Sequence, residues 1–480
     1  MKLLLEVRRS IGATLLGASE AVSKSTGDAR AARRALSLAA ALAIGAYTLS
    51  GCGGSSSGGT GTSVAPIAQP GWSLSRTYPP LAPKPWTFLV FLNGANNLDS
   101  DGVLNVSQME QVGSSANVNV VVQWKRLNGW SGDTRRYLIL KNPGDAAGTA
   151  STQLSHNGSV DMGQAQSLQE FVQWGVHAFP AQHYCLVLWD HGAGWRSEKI
   201  GATGTRAAAT RALGRGISYD DLTHSHIDTT QIPGAIAVGS GFKWDLLAMD
   251  ASLMQMAEVD YELRNSAQYI VGSEESPSEL GYPYDVFLAD LTANPAMDGR
   301  AFGIDIAQKT LASYTLNSDA TQSVVDTTRL DALAPAVDAL GSALLAAPPA
   351  AAPQISAARS TAESVNSSDY YGDYRDLADF AHLLVDSGTG LTPVADSRTR
   401  TAAQGVKDAL AAAVVYNAHG NQHPHMNGLT IFMVPPIRHA AINHEQANAA
   451  GPGGGSLLYA DLAFTKAAPN WNAFLTGGPP

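Results

Sequence analysis

The stretch WDLLAMDASLMQMAEV, Trp244 to Val259, puts an acid and a hydroxyl at the end of a short apolar run. Asp250 and Ser252 are two residues apart, and Met256, Val259 and Leu263 follow at helical spacing. A strand-to-helix elbow with a small nucleophilic side chain at its tip is a recurring way to expose a reactive atom. Backbone N–H groups at the start of a helix over Leu253–Asn265 could stabilise an oxyanion or a thiolate. Upstream, His191 leaves a second apolar run, YCLVLWD, and is followed by Gly192. A histidine there can serve as general base or acid, and a glycine beside it lets substrate approach the backbone closely. The plainer readings are a helix N-cap for Asp250, a small turn residue for Ser252 and a structural role for His191. These residues alone leave the choice open.

The elements that must position them are readable as patterns. WTFLVFLNG, VNVVVQW, YCLVLWDHG, WDLLAMD and QYIVGSEE are nearly continuous apolar runs, the mark of strands covered on both faces. Helical stretches alternate with them, notably Val103–Val112, Gln164–Ala178 and Leu253–Asn265. The alternation predicts an α/β fold with a mostly parallel sheet flanked by helices. Residues 340–360, rich in Ala and Pro, read as a helix end plus linker. Helical YRDLADFAHLLVDS and RTRTAAQGVKDALAAAVVYN then lead to a strand-like GLTIFMV, giving a mixed helical and strand C-terminal part. In such sheets ligands gather beyond the carboxyl ends of the strands. That singles out NGANN at 93–97, DHGAGW at 190–195 and MDAS at 249–252.

With 480 residues, 45% of them hydrophobic, the chain can build a large core. Its formal charge of -10 argues against nucleic acid as a partner. Arg30, Arg33 and Arg34 precede the apolar ALSLAAALAIGAYTLSG, which has the length of a signal segment. It closes in LSGC, which resembles a bacterial lipoprotein box. That resemblance implies cleavage before Cys52, acylation of its sulfur and attachment to a membrane; an ordinary signal peptide with a chance cysteine is the alternative. Gly53 after the cysteine carries no sign of inner-membrane retention, so outer membrane, periplasm or cell surface is expected in a Gram-negative host. The expected divisions are a signal peptide at 1–51, a Gly/Ser/Pro-rich tether at 52–82, a main α/β domain at 83–340 and its C-terminal continuation at 341–480. Cys185, the other cysteine, sits mid-strand and reads as a buried core thiol. The exported domain therefore has no intramolecular disulfide to rely on.

WTFLVFLNGANNLD, DMGQAQSLQEFVQWGVHAFPAQHYCLVLWDHGAGW, LLAMDASLMQMAEVDYEL and YIVGSEESPSELGYPYDVFLADL together resemble the clostripain family of cysteine peptidases, in order and in spacing. DLADFAHLL, AVVYN and GLTIFMVPP extend the resemblance from about Trp86 to the C-terminus. It implies a caspase-like and gingipain-like fold that cleaves after Arg or Lys. By the same resemblance His191 is the catalytic histidine and the Gly192 N–H contributes to the oxyanion hole. Asp250 then receives the Arg or Lys side chain in the S1 pocket. The departure is at the nucleophile, where Asp250-Ala251-Ser252 stands in place of Asp-x-Cys. A thiol with a pKa of about 8.5 is partly ionised at neutral pH. A serine hydroxyl is not, and needs a histidine oriented by a third group. The sequence offers no clear third group, so Ser252 is expected to be slower by orders of magnitude.

Three smaller features accompany this. The segment after His191 carries Arg196, Lys199, Arg206, Arg211 and Arg215, and reads as a mobile solvated loop or, by resemblance, a maturation loop cut between His and nucleophile. HGNQHPHMNG brings His419, His423 and His425 together, and reads as loop histidines in a polar turn more readily than as a metal site. GSEESPSE at 272–279 could lend acids to a Ca2+ site, an option the family resemblance leaves open, or to the S1 rim. Three functions follow: an exported, lipid-anchored peptidase homologue with a disabled nucleophile and a cleft for Arg/Lys side chains; an active Arg/Lys endopeptidase using Ser252 and His191; or a partner-binding lipoprotein without catalysis.

Overall fold

The apolar run at Lys84–Gly94 forms strand β1, buried on both faces over its last nine residues. In the computed structural model, residues 82–142, 151–197, 215–276, 280–315, 318–365, 372–448 and 458–478 are described. The signal segment, Cys52, nearly all of the tether, and Lys199, Arg206 and Arg211 lie outside them. Residues 76–480 form one unit by their internal contacts.

The remaining strands are β2 (Val118–Arg126), β3 (Thr134–Leu138), β4 (Thr152–His156), β5 (Ala181–Trp189), β6 (Gly192–Ser197), β7 (Arg215–Asp220), β8 (Ser225–Ile227), β9 (Trp244–Asp250), β10 (Ala267–Gly272), β11 (Thr321–Asp326), β12 (Tyr374–Asp376), β13 (Val414–His419) and β14 (Thr430–Phe432). Nine of them make one sheet in the order β13-β11-β10-β9-β5-β1-β2-β3-β4. The five strands from β10 to β2 run parallel, and antiparallel strands flank them on both sides. The expected α/β fold with its mostly parallel sheet is therefore the observed one. Strands β6, β7 and β8 form a small separate sheet directly after His191.

Alternation along the strands divides the core into two layers. Leu89, Phe91, Leu186, Leu188, Leu247 and Met249 face one cluster, which helices Ala165–Ala178, Ile232–Ser240 and Leu330–Leu345 cover. Phe88, Val90, Cys185, Val187, Leu246 and Ala248 face the other, under helices Asp99–Val112, Tyr284–Ala293 and Gly299–Ser313. Cys185 is wholly buried there, and burial pushes its thiol up. Among the described residues no single helix is long and apolar enough to cross a membrane.

Two local readings are corrected. Residues 340–360 are not a linker: helix Leu330–Leu345 is followed by Ala352–Thr361, and Leu344, Ile355 and Ala358 are core residues. Pro348 and Pro349 occupy the break, where a missing N–H costs nothing. The helix begun at Ser397 stops at Ala413, because Val414–His419 pairs antiparallel with β11 and becomes the sheet's edge. The C-terminal part thus completes the central sheet.

Candidate active site

Strand β2 lies on one side of β1 and β5 on the other, so the chain reverses direction of travel across the sheet between β1 and β5. A crevice opens at the carboxyl ends of strands at such a switch point. Asn96 and Asn97 leave β1, Asp190 and His191 leave β5, and Asp250 and Ser252 leave β9. Trp189 is in register with Asp250, so His191 and Ser252 each lie two residues beyond a shared rung of the sheet.

The His191 side is held by the strand-end asparagines. Asn97 Oδ1 is 2.9 Å from His191 Nε2. With an amide oxygen as partner, Nε2 carries the proton. Asn96 Nδ2 donates to Asp190 Oδ1 (2.6 Å) and to the Tyr219 carbonyl (2.9 Å). The same Asp190 oxygen accepts from the His191 backbone N–H at 2.6 Å. Burial pushes the Asp190 carboxyl well up, although these donors oppose it. Tyr219, on β7, meets the His191 ring edge-on with centroids 6.4 Å apart. Asn97, at the strand end NGANN, is a partner of His191 that no local pattern in the sequence signals.

Asp250 is 7% exposed. Its Oδ2 accepts from the Tyr282 backbone N–H (3.1 Å) and from the Tyr284 hydroxyl (2.8 Å). Burial raises its pKa to about 6 against those two donors. Gly281, at φ +66°, passes so close that a Cβ would sit 3.0 Å from Oδ2. The helix N-cap reading of Asp250 is thereby excluded, since no helix begins there.

Ser252 sits on a sharper turn than expected. The following helix runs Ala257–Leu263, not from Leu253, so no helix N-terminus abuts Ser252. Leu253 is buried at φ +64°, a left-handed conformation uncommon for a branched side chain. Its N–H donates to the Glu275 carbonyl (3.3 Å), and the Gln255 N–H to the Ser273 carbonyl (3.1 Å). Those bonds commit the segment to extended pairing before a helix can start. The Ser252 carbonyl presses on Gly192, where a Cβ would stand 2.3 Å away. Among the described residues, the Ser252 hydroxyl takes its hydrogen bond from Ser276 Oγ, at 2.9 Å.

The accessory features are rearranged. Arg196 is not a loop residue: it is fully buried, donates to Asp373 Oδ2 (2.8 Å) and lies over the Tyr374 and Phe432 rings. Arg215 opens β7. His423 is not an exposed turn histidine but a buried one, with Glu275 Oε2 3.2 Å from Nε2 and Glu363 Oε1 2.9 Å from Nδ1. Burial opposes its charge, but the two glutamates carry its pKa up to about 9. Glu274 is also turned inward, accepting from the Gly428 N–H at 2.8 Å. Glu274 and Glu275 are thus taken up by these contacts, Glu279 lies outside the described residues, and among the described residues no group of three His, Cys, Asp or Glu gathers as a metal site.

The sequence profile of the clostripain family, peptidase family C11, matches residues 90–434. Clostripain of Hathewaya histolytica is 24% identical over a 226-residue match that covers 42% of this chain and 40% of that protein. The chain thus spans well under half the length of the curated relative it matches. Among solved structures it is similar to an inactive zymogen C11 protease from Parabacteroides distasonis, with TM-score 0.57 and 21% identity, covering 81% of this chain and 99% of that one. A secreted C11 cysteine protease from Bacteroides thetaiotaomicron, in complex with an irreversible peptide inhibitor, gives TM-score 0.55 and 17% identity, covering 81% and 99%. At these identities the likeness is one of fold.

Proposed function

We propose that this chain, which belongs to the clostripain family, is an exported peptidase homologue that binds Arg or Lys side chains and has a disabled nucleophile. Family membership makes peptides or proteins the class of ligand. Asp250 would receive the cationic side chain, His191 would be the base, and the Gly192 N–H would face the carbonyl oxygen. The observation that carries the reading is Ser252 itself, just beyond the end of β9 and two residues after Asp250, whose hydroxyl is bonded to Ser276. A thiolate could attack from that elbow as it stands. An alcohol must first give up its proton, and among the described residues the Ser252 hydroxyl is bonded to Ser276 and not to His191.

Export, with anchoring through a lipidated Cys52, rests on the N-terminal sequence and accords with a secreted relative in the same family. One observation favours a second reading, an active serine peptidase. Asn97 on His191 is the third group that a serine nucleophile requires.

Calorimetric titration of a peptide ending in Arg, against wild type and Asp250→Ala, tests the cleft. Binding that Asp250→Ala abolishes supports it. Equal binding by both, or by neither, refutes it and leaves a partner-binding lipoprotein whose cleft is idle.

A further inference from the structure

An acidic stretch, GSEESPSE, and a histidine-rich one, HGNQHPHMNG, lie far apart in the chain, and apart from Ser276 neither has a part in the chemistry above. They meet behind Ser252. Ser276, whose Oγ donates to Ser252 Oγ at 2.9 Å, has its backbone N–H on Glu275 Oε1 at 2.7 Å. Glu275 Oε2 is 3.2 Å from His423 Nε2, and His423 Nδ1 is 2.9 Å from Glu363 Oε1. A carboxylate on each ring nitrogen requires a proton on both, so the ring is an imidazolium. The His423 and Glu275 side chains are 1% and 2% exposed, where such a pair holds one geometry because water cannot replace either partner.

The backbone around this chain of contacts is fixed as well. Thr321 Oγ1 accepts from the N–H groups of Glu274 (3.0 Å) and Glu275 (3.2 Å). The Glu275 carbonyl accepts from Leu253, the residue after Ser252. Ser276 is thus aimed at residue 252 from a support that is itself rigid.

We propose that Glu275 and His423 are positioning residues: with Glu363 they form a buried clamp that sets the Ser276 hydroxyl against the side chain of residue 252. The proposal rests on residue 252 being the nucleophile position. Its chemical content is that a hydrogen-bond donor directed at that atom favours the anionic form of whatever nucleophile stands there.

The test uses the full chain carrying Ser252→Cys, with the iodoacetamide alkylation rate of the introduced thiol followed against pH. Mass spectrometry of the peptide that contains position 252 separates this thiol from those of Cys52 and Cys185. Ser276→Ala is expected to raise the apparent thiol pKa by about one unit. Glu275→Gln, Glu363→Gln and His423→Gln are each expected to raise it too, and to add little once Ser276 is already alanine. Near-UV circular dichroism confirms that each variant is folded, and Glu363→Gln, the mildest, keeps the test open if His423→Gln unfolds. A shift with Ser276→Ala but none with any folded clamp variant would overturn the positioning role. No shift with Ser276→Ala would overturn the contact itself. Labelling of the same variant by an arginyl chloromethyl ketone, compared with its alanyl analogue, reports the pocket independently. Lost arginine selectivity with the thiol shifts intact would defeat the functional reading and leave the clamp standing.

Discussion

The two halves of the site are built in different ways. His191 is held by its neighbours in the sheet: Asn97 steps off β1, the strand beside β5, and reaches it directly, while Asn96 holds the preceding Asp190. Residue 252 is held from behind by segments distant in the chain, through Ser276, Glu275, His423 and Glu363. The first arrangement costs little, because parallel strands already place their ends together. The second commits buried charges and a left-handed leucine to one oxygen. The fold devotes more structure to fixing residue 252 than to fixing His191, which marks that position as the point where geometry matters most.

The contrast can be broken at the clamp first. His423→Gln leaves two buried glutamates facing a neutral group, and is expected to cost about 3 kcal/mol or more by chemical denaturation. The pH dependence has a definite sign. A histidine raised to about 9 by folding stabilises fully below its unfolded value of about 6.5, and that contribution disappears as pH climbs through 9. Wild type should therefore lose stability between those limits, and His423→Gln should lose less. Equal pH slopes would show that the imidazolium contributes nothing.

Gly192→Ala attacks the joint between the halves. Its Cβ would meet the Ser252 carbonyl at 2.3 Å, which is backbone and cannot swing away. A loss of about 1–3 kcal/mol is expected, with peptide binding impaired in whatever folds. A variant as stable and as competent as wild type would mean that the β5 and β9 ends do not touch as described.

On the histidine side, Asn97→Ala in the Ser252→Cys background should lower kcat by about tenfold or more and leave KM nearly unchanged, because Asn97 orients the base and does not touch the cleft acid. Asp250 should behave oppositely. With its pKa near 6, affinity for an arginine peptide should rise as pH climbs through 6, and Asp250→Asn should bind weakly at every pH. A flat profile for wild type would remove Asp250 from the cleft. The smallest expected effect is Cys185→Ala, about 1 kcal/mol of core packing with no change in activity or labelling.

The same contrast explains what the sequence revealed. Strands β1, β2, β5, β9 and β10 were legible because parallel strands covered on both faces must be apolar throughout. Their carboxyl ends singled out His191, Asp250 and Ser252 as candidates, and only the family resemblance gave those residues roles. Leu253 defeated the helix expectation: nothing in its identity signals a positive φ, which is imposed by bonds to residues 273–275. His423 looked like a turn histidine because its partners, Glu275 and Glu363, come together only in the folded chain. Arg196 looked like part of a basic loop for the same reason, since Asp373 and Phe432 are distant in sequence. Local pattern reports on elements and their ends; it is silent about pairs that burial creates.

Hydrolysis of fluorogenic peptides ending in Arg, Lys or Ala, by wild type, Ser252→Cys and Ser252→Ala side by side, tests the central claim most directly. The account predicts a silent wild type, and a Ser252→Cys enzyme that cuts after Arg or Lys at least about a hundredfold faster, roughly 3 kcal/mol of restored transition-state stabilisation. A wild type that cleaves after Arg or Lys, and loses that activity in Ser252→Ala, would contradict it and make this a serine peptidase.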